Sequence, residues 1–103
     1  MYFNEKEENV VRVFYNNIAR CEKMSMILKW TNGSQVVATF DTCFEDDNEF
    51  EMDDPRYEEY ISFVFKMSQV FGKPPVYITE DEYFCVDYRN FPDEIIADGK
   101  KIN

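Results

Sequence analysis

The chain has 103 residues, with 11 Lys+Arg against 21 Asp+Glu and no His, a formal net charge of −10. One domain over 1–103 is expected at this length, and the 45% hydrophobic and 17% aromatic content argues against disorder. Such acidity also argues against direct binding to nucleic acid or to an anionic membrane, since both are polyanions.

Met1 to Glu8 is polar and acidic, without the basic and apolar regions of a secretory signal. No apolar run approaches the ~20 residues that span a bilayer. The three cysteines, Cys21, Cys43 and Cys85, are odd in number and widely spaced. Reduced thiols in a cytoplasmic protein are therefore expected.

Asn4 with Glu7 three residues later is a capping signature that predicts a helix over about 5–22. Val10, Phe14, Ile18 and Cys21 form its apolar stripe, widened by Val11 and Tyr15. From Met24 the period changes to two. A hairpin is predicted over 24–43 around Asn32-Gly33, two residues that tolerate the positive φ of a type I′ turn. Residues 45–54 read as an acidic connection. Asp54-Pro55 then marks a helix start, and Glu58 and Glu59 suit the positive end of a helix dipole. Tyr57, Tyr60, Ile61, Val64, Phe65, Met67 and Phe71 supply an apolar face, so a second helix is predicted over about 55–71, stopped by Gly72 and Pro74-Pro75. A hairpin over 76–88 around Glu80-Asp81-Glu82 follows, then a short last hairpin over 94–102. The predicted fold class is α+β: an antiparallel sheet of hairpins packed against two helices.

The negative charge has an address. Residues 1–40 sum to +1, residues 41–98 to −13, and the tail adds Lys100 and Lys101. Between 41 and 54 there are eight carboxylates and no cation. Such a run either solubilises the chain or docks on a basic partner. Extended backbone advances about 3.3 Å per residue, so successive carboxylates approach the charge spacing of a nucleic-acid strand. Phe44, Phe50, Met52 and Tyr57 lie among these acids as aromatic and apolar anchors or as core plugs. The candidate partner-binding residues are Asp41, Glu45, Asp46, Asp47, Glu49, Phe50, Glu51, Asp53, Asp54, Glu58 and Glu59.

No motif points to catalysis. Without His the usual base of a nucleophilic Ser or Cys is missing, and no serine sits in a G-x-S-x-G elbow. Three glycines build no phosphate-cradling loop. No cofactor is expected. By ligand type two metal sites are conceivable: Cys43, Cys85 and Asp87 if their strands pair, and Asp46, Asp47, Asp53 and Asp54 as a loose divalent site. An EF-hand is rejected, because Phe50 occupies a ligand position and the turn glycine is absent.

In size and composition this small, acidic, His-free, aromatic-rich chain resembles phage-type anti-CRISPR inhibitors and bacterial toxin-immunity proteins. Leu28-Lys29-Trp30-Thr31-Asn32-Gly33 and Asp53-Asp54-Pro55-x-Tyr57-Glu58-Glu59-Tyr60 are similar to segments of small bacterial proteins. The resemblance implies a non-enzymatic inhibitor that occludes a basic, nucleic-acid-handling protein such as a nuclease. Its leading form is a DNA-mimic inhibitor of a Cas nuclease. The alternatives are an immunity protein against a nuclease toxin and an acidic housekeeping binding module.

Overall fold

Asn4 opens the first element. Its side chain accepts the Glu7 amide at 2.8 Å, and helix α1 runs Glu5–Cys21. The computed structural model describes residues 2–103. The buried stripe of α1 is Glu7, Val11, Phe14 and Cys21, with Ile18 half-buried. Val10 was expected in that stripe and is instead 37% exposed. Spacings of four and three from Glu7 place Val11, not Val10, over the core.

Strands β1 (Ser25–Lys29) and β2 (Gln35–Asp47) pair in register from Ser25↔Thr39 to Lys29↔Gln35. Their connection is not a type I′ turn. Trp30 N–H donates to Ser34 C=O, Gly33 N–H donates to Trp30 C=O, and Gly33 has φ 89° while Asn32 is not left-handed. This is a three-residue loop ending in a left-handed glycine. Asn32 spends its side chain on the loop, accepting from Ser34 N and Oγ at 2.9 and 2.6 Å. The two-residue turn with both φ positive occurs later, at Asp98 (φ 53°) and Gly99 (φ 75°).

The helix expected over 55–71 does not form. Residues Glu59–Phe71 are strand β3, thirteen residues long. Ile61, Phe63 and Phe65 lie buried on one face, Tyr60 and Ser62 are buried on the other, and the run is rich in aromatic and β-branched residues that favour a pleated surface. Asp54-Pro55 starts a turn rather than a helix: Tyr57 N–H donates to Asp54 C=O at 2.9 Å, the Asp-then-Pro signature of a β-turn. The described residues therefore form one helix and a mostly β architecture, not two helices on a sheet.

Strand β4 (Tyr83–Val86) pairs with β3, not with 76–79. Pro74 and Pro75 lack amide donors, and residues 76–79 form no ladder. The Glu80-Asp81-Glu82 loop repeats the first loop's geometry: Thr79 N–H donates to Tyr83 C=O, Glu82 N–H to Thr79 C=O, and Glu82 is left-handed at φ 69°. Strands β5 (Glu94–Ala97) and β6 (Lys100–Lys101) complete a six-stranded antiparallel sheet of order β4-β3-β2-β1-β5-β6.

α1 covers one face of this sheet. Phe14 lies at its centre, with the rings of Phe40, Phe63, Phe65 and Phe91 at 5.7 to 6.0 Å. Met26, Leu28, Val36, Phe84, Val86 and Ile95 fill out the same core. Two bulges interrupt the long β2–β3 ribbon. Val37 pairs with Gln69 but Ala38 with Met67, leaving Ser68 extra; Phe40 pairs with Phe65 but Thr42 with Val64, leaving Asp41 extra. A bulge changes which residues face inward. Val36, Ala38 and Phe40 face α1 before Asp41, and Cys43 does so after it.

Candidate functional site

β1 ends its pairing at Thr39, so from Asp41 onward β2 has β3 on one side and, among the described residues, no strand on the other. The distal half of the β2–β3 ribbon, with its 48–58 connection, forms one end of the molecule. Nearly all of the acidic segment is gathered there. Asp41, Glu45, Asp46 and Asp47 are on β2, Glu49, Phe50, Glu51, Asp53 and Asp54 are on the connection, and Glu58 and Glu59 lead into β3. The structure thus extends β2 through residues expected to be loop.

The connection is held at its base by Asn48. Its backbone N–H donates to Glu58 C=O at 3.2 Å, its Nδ2 donates to Arg56 C=O at 2.7 Å, and its Oδ1 accepts from Glu58 N at 3.2 Å. Two turns follow inside, Asp54 N–H to Glu51 C=O and Tyr57 N–H to Asp54 C=O, both at 2.9 Å. Asp47 Oδ1 accepts the Glu49 amide at 2.7 Å, where Glu49 is left-handed at φ 70°. Carboxylates here cap backbone donors, which fixes an acidic loop in place despite its repulsion.

Asp47 and Glu59 face each other across the ribbon. Because Asn48 and Glu58 share the backbone bond, Asp47 and Glu59 form the wide pair whose side chains approach closest. Like charges in that position destabilise a sheet. Tyr57 Oη donates to Glu59 Oε1 at 2.7 Å, and this hydrogen bond pushes the Tyr57 phenol up to about 12. Beside them Phe3, Glu45, Asp46, Asp47 and Glu59 line a shallow hollow of about 170 Å³.

Of the acidic segment, Asp54 alone is ion-paired among the described residues. Arg56 meets both its oxygens, at 3.0 Å from Nε and 2.8 Å from NH2, and holds the carboxyl below its usual range. The same guanidinium lies 4.2 Å from the Phe50 ring centroid. Phe50 is 39% exposed, Phe44 44% and Met52 81%. Phe50 and Met52 are thus surface groups, not plugs of the core. Arg56 was not among the candidate residues, and its signal was the Asp54-Pro55-Arg56 turn, which the helix expectation obscured.

Neither metal possibility is assembled. Cys43 faces α1, while Cys85 is on the opposite face of β4, with β3 between their strands. Burial raises the pKa of both thiols, and Asp46 and Asp87 raise that of Cys85 further, so both are protonated at neutral pH. Asp87 is committed to Arg89, which meets its two oxygens at 2.9 Å each and stacks 4.1 Å from the Tyr60 ring centroid. No group of three metal-ligating side chains occurs among the described residues. Among the described residues no helix is long and apolar enough to cross a membrane.

Residues 10–102 match the family model of the cognate immunity protein YxxD. The chain belongs to the YxxD family of cognate immunity proteins. No curated protein and no solved structure matches it. A YxxD-family chain neutralises a toxin and does so through a protein partner; immunity proteins are in general not enzymes. Of the two inhibitor types that the sequence resembles, the match supports immunity and lends nothing to a Cas nuclease target.

Proposed function

We propose that this immunity protein neutralises a nuclease toxin by stoichiometric occlusion. The acidic end of the β2–β3 ribbon would cover the basic surface with which the toxin holds nucleic acid. The observation that carries this reading is the unspent charge of the segment: Asp41 to Glu59 contains ten carboxylates, and among the described residues only Asp54 has an ion pair. Repulsion of this kind is a cost in the free protein that a cationic partner removes. The carboxylates lie on extended strand and hydrogen-bonded turns, so they meet a partner with their backbone already in place. Exposed Phe44 and Phe50 add apolar contact within the charged field. Three free thiols suit action in the cytoplasm.

The test uses the cognate toxin domain, silenced in its active site. Asp46, Asp47, Glu49 and Glu51 are changed together to Lys. Affinity is expected to fall about a hundredfold at low salt, with a flatter salt dependence, and protection of toxin-expressing cells is lost. Unchanged affinity and salt dependence would remove the acidic end as the binding surface.

A further inference from the structure

The distal half of β2 is an unpaired sheet edge. Backbone groups alternate in direction along a strand. The Asn48 amide points to Glu58 on β3, so the amides of Cys43, Glu45 and Asp47 point away from β3, into the side that β1 vacates after Thr39. The Asp47 amide is taken by the Asp46 carboxylate at 2.8 Å. Among the described residues the amides of Cys43 and Glu45 have no strand to meet there. The bulge at Asp41 marks the boundary: before it β2 is paired on both sides, after it on one.

We propose that the toxin docks by adding an extended, Lys- or Arg-bearing segment as a strand along β2 from Asp41 to Asp47. This rests on the toxin-binding reading above and specifies its geometry. Main-chain hydrogen bonds to Cys43 and Glu45 supply register and affinity, and alternate side chains supply specificity. The charge on the edge selects the occupant. Asp41, Glu45, Asp46 and Asp47 lie within seven residues, so a second copy of the same edge would set carboxylate against carboxylate. A basic strand meets them with opposite charge. Exposed Phe44, on the face away from α1, gives that strand an aromatic neighbour.

The decisive measurement is amide hydrogen exchange, residue by residue, free and bound to the silenced toxin domain. Strand addition slows Cys43 and Glu45 about tenfold or more, while Phe44, already facing Ser62 on β3, changes little. Glu45→Pro removes one edge donor at a position where an edge strand tolerates proline. It is expected to weaken binding about tenfold beyond Glu45→Gln, which removes only the charge. A tight complex in which Cys43 and Glu45 exchange as in the free protein overturns the strand addition and leaves the electrostatic reading standing. Protection of both amides with binding indifferent to the four-lysine variant supports strand addition but overturns the basic character of the added strand together with the electrostatic reading. Absence of any complex overturns both. If Glu45→Pro does not fold, exchange in the unaltered protein decides.

Discussion

The Glu7 carboxylate accepts the Ile61 amide at 2.7 Å, joining the first turn of α1 to strand β3. Its other oxygen accepts the Phe3 amide at 2.9 Å, and the side chain is fully buried. One side chain thus closes the chain ahead of the helix and supplies an acceptor to an amide of β3 beyond the end of β4. Glu7→Ala would leave two amides without this acceptor, and a loss of about 2–4 kcal/mol is expected. Glu7→Gln keeps one carbonyl acceptor and should lose less. Urea unfolding measures both; a loss under ~1 kcal/mol for the alanine variant would deny Glu7 this role.

The register of α1 is open to a paired test. Phe14→Ala empties the centre of the aromatic core and should cost about 3–5 kcal/mol. Val10→Ala, on the exposed flank, should stay within about 0.5 kcal/mol. Comparable losses at the two positions would mean that the helix packs in another register.

Two loops share one backbone plan but not one residue. Gly33 and Glu82 occupy the same left-handed position, at φ 89° and 69°. A Cβ at Gly33 meets nothing within 4 Å, so Gly33→Ala tests backbone strain alone and should cost about 1 kcal/mol. Glu82→Gly should stabilise the protein, by up to about 1 kcal/mol, by relieving that strain. Thermal melts of the two variants should move in opposite directions, and parallel shifts would contradict the shared geometry.

Tyr57 and Glu59 give the acidic end an optical reporter. The phenol is held protonated up to about 12 by its hydrogen bond to the carboxylate. Its folded-state value lies above the usual 10 of an unfolded chain. The hydrogen bond is therefore intact below pH 10, and its contribution is lost as pH rises from 10 through about 12. Burial also raises Tyr2, Tyr60 and Tyr88, so the reporter is the difference that Glu59→Gln makes: one of the late-titrating tyrosines in the absorbance titration should come down. No change in that variant would mean that the phenol is held by something else.

Removing charge at the ribbon end should help the free protein while harming its function. Asp47→Asn keeps an acceptor for the Glu49 amide but removes the like charge opposite Glu59. A gain of a few tenths to about 1 kcal/mol is expected at low salt, fading in high salt. Stability that is lower, or that does not respond to salt, would argue that the pair is not repulsive.

Local chemistry made some elements readable and misdirected others. Asn4 and Glu7 announced α1 because capping is settled within four residues. The segment 55–71 was ambiguous because it is apolar on both faces: Tyr57, Tyr60, Ile61 and Val64 fit a helix, while Ile61, Phe63, Phe65 and Met67 fit a strand. Its aromatic and β-branched content was the better guide, and Asp54-Pro55 serves a turn as well as a helix start. Asn32-Gly33 signalled a hairpin correctly, but the loop has three residues, since Trp30 bonds to Ser34. The acidic segment was legible as charge. Its place on an open edge was not, because that depends on where β1 stops and on a bulge at Asp41, which no residue of the segment announces.

On the proposed reading, in which the acidic end binds the toxin, Asn48 sets how long the complex lasts. Its three hydrogen bonds to Arg56 and Glu58 keep the 48–58 connection closed before any partner arrives. Long-range attraction then governs how often a toxin collides productively, whereas a pre-shaped loop governs how long the pair survives. An inhibitor that must hold its target through every moment of a cell's life depends most on the second quantity. Loosening the loop at Asn48 would shorten that lifetime while leaving the rate of first contact almost unchanged.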